Sequence, residues 1–175
     1  MSLKQNVFIN IKNVIGWKTR RKIVVFSIDD YGNVRLDSKE ARDKMFSQGL
    51  KPANIFDLHD ALEDENDLFG LYETLSSVKD KNGNHAVFTP FALSANIDFE
   101  KMRETNYQEY HYELLPVTFS KLKGYENVWK LWNEGIEKKL LVPQFHGREH
   151  LNVKVLMEAL KRKDEKISIN FKNRS

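Results

Sequence analysis

Ile23-Val24-Val25-Phe26 stand together between a basic lead-in, Arg21-Lys22, and a polar exit, Ser27-Ile28-Asp29-Asp30-Tyr31-Gly32-Asn33. A continuous β-branched and aromatic run of this kind suits a strand covered on both faces, as in a parallel sheet. The two acids and the Gly-Asn pair mark its exit into a loop. Asp37 or Ser38 then caps a helix to about Gln48, with Gly49 as the residue beyond its end. The same order recurs along the chain. Residues 86–91 (AVFTPF) read as a second strand, where Pro90 ends the pairing. Residues 140–145 (LLVPQF) read as a third and residues 167–171 as a fourth.

Helical patterns fall between these runs. Asp57, Asp60, Glu63, Asp64, Glu65 and Asp67 lead into an amphipathic stretch on Leu68, Leu71, Tyr72, Leu75 and Val78 that stops at Asn82-Gly83. The acidic run lacks the glycine and terminal glutamate of an EF-hand loop and reads as a solvated helix start. Residues 126–139 form a helix whose Trp129 and Trp132 face the core, and a further helix carries Val153, Val155, Leu156 and Leu160. Residues 98–112, rich in tyrosine, read as a long excursion whose rings are partly buried. Strands alternating with helices argue for parallel βαβ units in a single α/β domain over residues 1–175. In such sheets the strands' carboxyl ends carry the site, and both Asp29-Asp30 and residues 146–150 follow a strand directly.

Composition narrows the chemistry. The chain has no cysteine, so a disulfide scaffold, a cysteine-ligated zinc, an iron–sulfur cluster and a thiol nucleophile are excluded. Any metal must sit on His, Asp or Glu. With 28 Lys+Arg against 25 Asp+Glu the net charge is +3 and shows no basic face, so nucleic acid is not an expected partner. No uncharged run reaches the ~18 residues of a membrane span, and no signal-peptide core is visible, so a membrane is not expected and the chain as given reads as cytoplasmic.

His146-Gly147-Arg148-Glu149-His150 spaces two imidazoles four apart, on one face if the segment forms a helical turn. An open catalytic zinc site takes about three protein ligands plus water. Two histidines and one carboxylate of the Asp29-Asp30 pair supply them, and the second carboxylate is free to act as a base.

These residues resemble a known family. Val25-Phe26-Ser27-Ile28-Asp29-Asp30-Tyr31-Gly32 is similar to the first motif of the polysaccharide deacetylases (carbohydrate esterase family four, NodB-like), a strand ending in Thr-Phe-Asp-Asp-Gly. His146 to His150 matches the spacing of their second motif, His-Ser/Thr-x-x-His, with Gly147 in place of the hydroxyl residue. Ala86-Val87-Phe88-Thr89 resembles their second strand. Asp-Asp-Tyr-Gly also resembles the Asp-Asp-Phe-Gly of the YdjC-like carbohydrate deacetylases. The resemblance implies a parallel (β/α) barrel of seven or eight strands, incomplete in this chain. It implies Asp29 as catalytic base, Asp30, His146 and His150 as ligands of a divalent metal such as zinc, and an acetylated carbohydrate as substrate. Oxygen charge developing in the reaction would face the metal and the Tyr31 or Gly32 N–H. The family's late arginine and catalytic histidine have no counterpart, so the chain is expected to be either the N-terminal part of a longer enzyme or a shortened homologue. An open sheet edge makes association with a second copy expected.

Two other readings compete. One is a carbohydrate-binding remnant of the same fold without turnover. The other takes His146-x-x-Glu149-His150 as the HxxEH of a zinc peptidase, with Glu149 as base, a pattern that requires a helix Gly147 disfavours. Arg148 is expected either to orient Asp29 or to pair with an acid such as Glu149.

Overall fold

The computed structural model describes residues 2–175, apart from the side chains of Asn6, Ile9, Lys12 and Asn13. In chain order it contains α1 (Leu3–Ile15), β1 (Ser27–Tyr31), α2 (Lys39–Ser47), α3 (Phe56–His59), α4 (Glu65–Ser77), β2 (Thr89–Ala92), β3 (Ala95–Ile97), α5 (Phe99–Glu104), β4 (Tyr112–Leu114), α6 (Leu115–Lys121), α7 (Val128–Glu137), β5 (Gln144–Phe145), α8 (Val153–Lys161) and α9 (Glu165–Lys172). Three strands form a parallel sheet in the order β1-β2-β5, and β3 pairs with β4 in a separate antiparallel sheet. The expected seven- or eight-stranded barrel is therefore corrected: the fold is mixed α/β, and among the described residues no barrel closes. The reason lies in the pairing. After β2 the chain turns at Leu93-Ser94 into β3, whose residues 95–97 bond to residues 112–114 and not to the parallel sheet.

The apolar run 23–26 is not a covered strand. β1 begins at Ser27, opposite Thr89, and its neighbour β2 offers no partner further upstream. Ile23, Val24, Val25 and Phe26 lie outside the sheet, 50–78% exposed. Hydrophobic content alone suggested a covered strand, but coverage depends on a neighbour, and near residue 86 the chain is engaged elsewhere, His85 bridging to Lys79. Val24→Ala should accordingly change thermal stability by no more than about 0.5 kcal/mol, as at an uninvolved surface position. A loss of about 1 kcal/mol or more, read by denaturant titration, would show that Val24 is packed after all.

Pro90 does not end its strand. It is fully buried in β2 opposite Ile28, and β2 continues to Ala92. Phe88 N–H and C=O bond to Leu140 and Val142, and Ala92 C=O accepts from His146 N–H, so alternate residues of β2 turn toward β5. Pro90, two residues from each, has its missing donor on that side, opposite the irregular residues 142–143.

Residues 167–171 are corrected from strand to helix α9. Ile-Ser-Ile-Asn-Phe alternates like a strand, but Ile167 and Phe171 are also four apart and share a helix face. The Asp164 side chain accepts from Ile167 N–H at 3.1 Å and starts the helix. Phe171 then packs edge-on against Phe99 and Tyr107. The excursion over 98–112 contains α5, and its end joins β4.

Two apolar clusters hold the elements. The larger joins α4, α6 and α7 to the sheet through Leu68, Tyr72, Leu115, Phe119, Val128 and Trp132. Trp132 is core, as its spacing suggested, and Trp129, partly buried, stacks on it at 6.0 Å between ring centres. The smaller joins α5, α8 and α9. Ser38 caps α2, its side chain accepting from Ala41 N–H at 3.0 Å. The acidic run is spent on structure: Asp64 and Asp67 form a reciprocal cap on α4, and Asp60 pairs with Arg35 at 2.8 Å. Among the described residues no helix is long and apolar enough to cross a membrane.

Candidate metal centre

Asp29 and Asp30 are neighbours on β1, and on a regular strand their side chains would point to opposite faces. Asp30 breaks the strand geometry. Its φ is +55°, and the β1–β2 register shifts between Ile28 and Tyr31. This bend turns both carboxylates toward one imidazole: His146 Nε2 lies 2.8 Å from Asp29 Oδ1 and 3.4 Å from Asp30 Oδ1. Gly32 follows at φ +83°, where a Cβ would stand 2.8 Å from a Leu115 methyl, so the turn needs glycine both for its backbone and for its clearance.

His146 follows β5 and is placed by its own N–H bonding to Ala92 C=O at 2.9 Å. Residues 146–150 form no helical turn. The segment is a bend with Gly147 at φ +123° and His150 at φ +50°. Glycine at 147, where the deacetylase motif has Ser or Thr, answers this backbone conformation. The bend folds His150 back on His146, with ring centres 4.6 Å apart, and sets its Nδ1 3.2 Å from Asp30 Oδ1.

Donor atoms of Asp30, His146 and His150 thus lie within 4.8 Å of one another. Donors on a tetrahedron with bonds of about 2.0–2.2 Å stand roughly 3.3–3.6 Å apart. The two Asp30–imidazole distances, 3.4 and 3.2 Å, are of that size. Asp30 Oδ1 and His146 Nε2 are moreover buried atoms that meet their neighbours as ion-pair contacts and have no hydrogen-bond partner. Buried polar atoms without partners are costly and usually have a reason. A shared divalent cation would satisfy both, so the donor set fits such an ion. Asp29 stands beside the triad with its side chain 68% exposed, against 30% for Asp30.

Arg148 does not orient Asp29. Its Nη2 donates to Glu149 Oε1 at 2.8 Å, and its guanidinium lies 4.3 Å from the Tyr112 ring centre. Glu149 is held in that pair. A cleft of about 260 Å³ opens beside Asp30 and His150, with Asn33, Arg35, Asn96 and Glu149 among its walls. The largest cavity described, about 580 Å³, lies elsewhere, at the start of α2 between Leu36, Lys39, Leu62 and Tyr125, and none of the candidate residues lines it. Of the other histidines, His59 lines that second cavity, His111 faces Glu109 at 3.8 Å and His85 bridges to Lys79.

Two supporting residues carried no signal in the sequence. Asn96, buried on β3, bonds to the loop after Asp30. Glu63 is buried behind the same loop, where it accepts from Trp132 Nε1 at 2.9 Å and faces the Gly32 N–H. Burial, reinforced by Asp67, pushes the Glu63 carboxyl up to about 7, although the bonds from Trp132 and Gly32 favour its charged form. The folded protein therefore keeps this proton at pH values where the unfolded chain, with an ordinary value of 4.5, has released it. Stability should fall by a few kcal/mol as pH rises from about 4.5 to 7 and level off above. Glu63→Gln, which still accepts from Trp132, should remove that slope and be the more stable form at pH 8. Parallel pH–stability curves for the two proteins would contradict it.

Compared with protein-family models, with curated proteins and with solved structures, the chain gives no match.

Proposed function

We propose that Asp30, His146 and His150 hold one divalent metal, most simply zinc, and that Asp29 serves as base in hydrolysis of an acetyl group on a carbohydrate. The observation that carries this reading is the convergence of three donors, two of them buried atoms without a hydrogen-bond partner, beside a second, accessible acid. The likeness of Ser27-Ile28-Asp29-Asp30-Tyr31-Gly32 and His146 to His150 to polysaccharide deacetylase and YdjC-like motifs supports the choice of substrate.

When bound, the ion would lower the pKa of water and polarise the acetyl carbonyl. The chain's own residues supply the rest. Asp29 Oδ1, exposed and next to the triad, takes the proton of the attacking water. His146 is placed by its N–H bond to Ala92 C=O, and Asp30 and His150 by the positive-φ bends on which they sit. The cleft beside Asp30 and His150 receives the sugar. The test is acetate release from an N-acetylated chito-oligosaccharide by chelator-treated protein before and after one equivalent of zinc. Zinc-dependent release supports the proposal, and release that ignores the chelator contradicts it.

Binding without turnover is the second reading. It is favoured by one observation: none of the three remaining histidines joins the cluster, so no imidazole stands ready to protonate the leaving amine. Zinc uptake with sugar binding but no acetate would select it. The peptidase reading loses ground because residues 146–150 are not helical and Glu149 is tied to Arg148.

A further inference from the structure

The two candidate ligand loops come from distant parts of the chain, residues 30–34 at the end of β1 and residues 146–150 after β5. Tyr31 still pairs with Ala92, but beyond it the first segment leaves the sheet at Gly32, and the second has no ladder partner, with positive φ at Gly147 and His150. Both are instead bonded to one short segment, residues 93–96. Leu93 N–H donates to Tyr31 C=O at 2.9 Å, Ser94 N–H to Gly147 C=O at 3.2 Å and Ala95 N–H to Arg148 C=O at 2.8 Å. Asn96 completes the set with its side chain. Its Oδ1 accepts from Val34 N–H at 2.9 Å and its Nδ2 donates to Gly32 C=O at 3.1 Å, so the amide stands in for a missing strand. Asn96 is 6% exposed, and Thr118 Oγ1 lies 3.4 Å from the same Nδ2.

We propose that Asn96 is a positioning residue for the metal ligands: its amide holds the Asp30 loop at the place where the neighbouring backbone of the same segment holds the histidine loop. This rests on the assignment of Asp30, His146 and His150 as ligands. The physical ground is that a metal site binds tightly when its ligands are already held at the right separation, and outer-shell partners commonly contribute 10–100-fold to affinity. Asn96 touches no donor atom in the structure. Its effect passes through Gly32 and Val34, which set where the Asp30 carboxylate stands relative to the two imidazoles.

The experiment is cobalt(II) titration of the full chain, read by its visible absorption, for wild type, Asn96→Ala and Leu160→Ala. Leu160 is buried in the α5–α8–α9 cluster, which includes no residue of either loop, so Leu160→Ala reports loss of stability. Asn96→Ala should bind cobalt 10–100-fold more weakly, with a changed band shape, while Leu160→Ala keeps the wild-type affinity and spectrum. If Asn96→Ala does not fold, Asn96→Ser, too short to reach both Gly32 and Val34, carries the same expectation. Asn96 variants matching wild type in affinity and spectrum would overturn the proposal, as would an equal loss in Leu160→Ala. A wild type that takes up no cobalt would overturn the ligand assignment itself, and this inference with it.

Discussion

Asp30→Ala is expected to abolish stoichiometric zinc binding at micromolar concentrations and, with it, acetate release. Asp30 Oδ1 is the atom that both imidazoles approach, at 3.4 and 3.2 Å, so its removal leaves two neutral donors and no charge to offset a dication. An open zinc site rests on about three protein ligands, and losing one should exceed the 10–100-fold typical of an outer-shell change. Asp29 is 2.8 Å from His146 Nε2, but it is not among the donors gathered with His150 and should not replace Asp30. Metal analysis of the dialysed variant checks this. Retention of one zinc per chain would mean that the ligand set is wrong.

Asp29→Asn is expected to separate binding from turnover. The amide cannot take a proton, and loss of a general base typically lowers turnover by 10²–10⁴-fold. Zinc affinity should change little, because Asp29 lies outside the triad and is largely exposed. Glu149→Gln is the contrast. Its carboxylate is engaged by Arg148, so the change should loosen the 146–150 bend slightly and leave activity within about an order of magnitude, below the range for loss of a base. An inactive Glu149→Gln beside an active Asp29→Asn would transfer the role of base to Glu149 and revive the peptidase reading.

The candidate site was more legible in the sequence than the architecture around it. Paired acids at a strand end and histidines four apart are local patterns; the β1-β2-β5 pairing sets their segments side by side, and bends at Asp30 and Gly147 turn the side chains toward one another. The cap of α2 was legible for the same reason, read at Asp37 or Ser38 and made by Ser38. Strand pairing is not local. Residues 23–26 have the composition of a covered strand and lack only a neighbour, which no residue among them can reveal. Ile167-Ser168-Ile169-Asn170-Phe171 satisfies periods of both 2 and 3.6, and the Asp164 cap together with Phe99 and Tyr107 decides for helix. The antiparallel β3–β4 pair rests on three-residue strands too short to show alternation. Asn96 and Glu63 act through bonds to residues 32 and 34 and to Trp132, more than 30 positions away, so their own neighbours in the chain give no hint of a role.

If one divalent ion is held by two imidazoles and one carboxylate, X-ray absorption at the zinc edge of protein loaded with one equivalent should show it. The expected first shell is nitrogen and oxygen at about 2.0–2.2 Å, with outer-shell scattering from two imidazoles that falls to one in His150→Ala. Zinc bound with no imidazole scattering, or with a spectrum unchanged by His150→Ala, would contradict it.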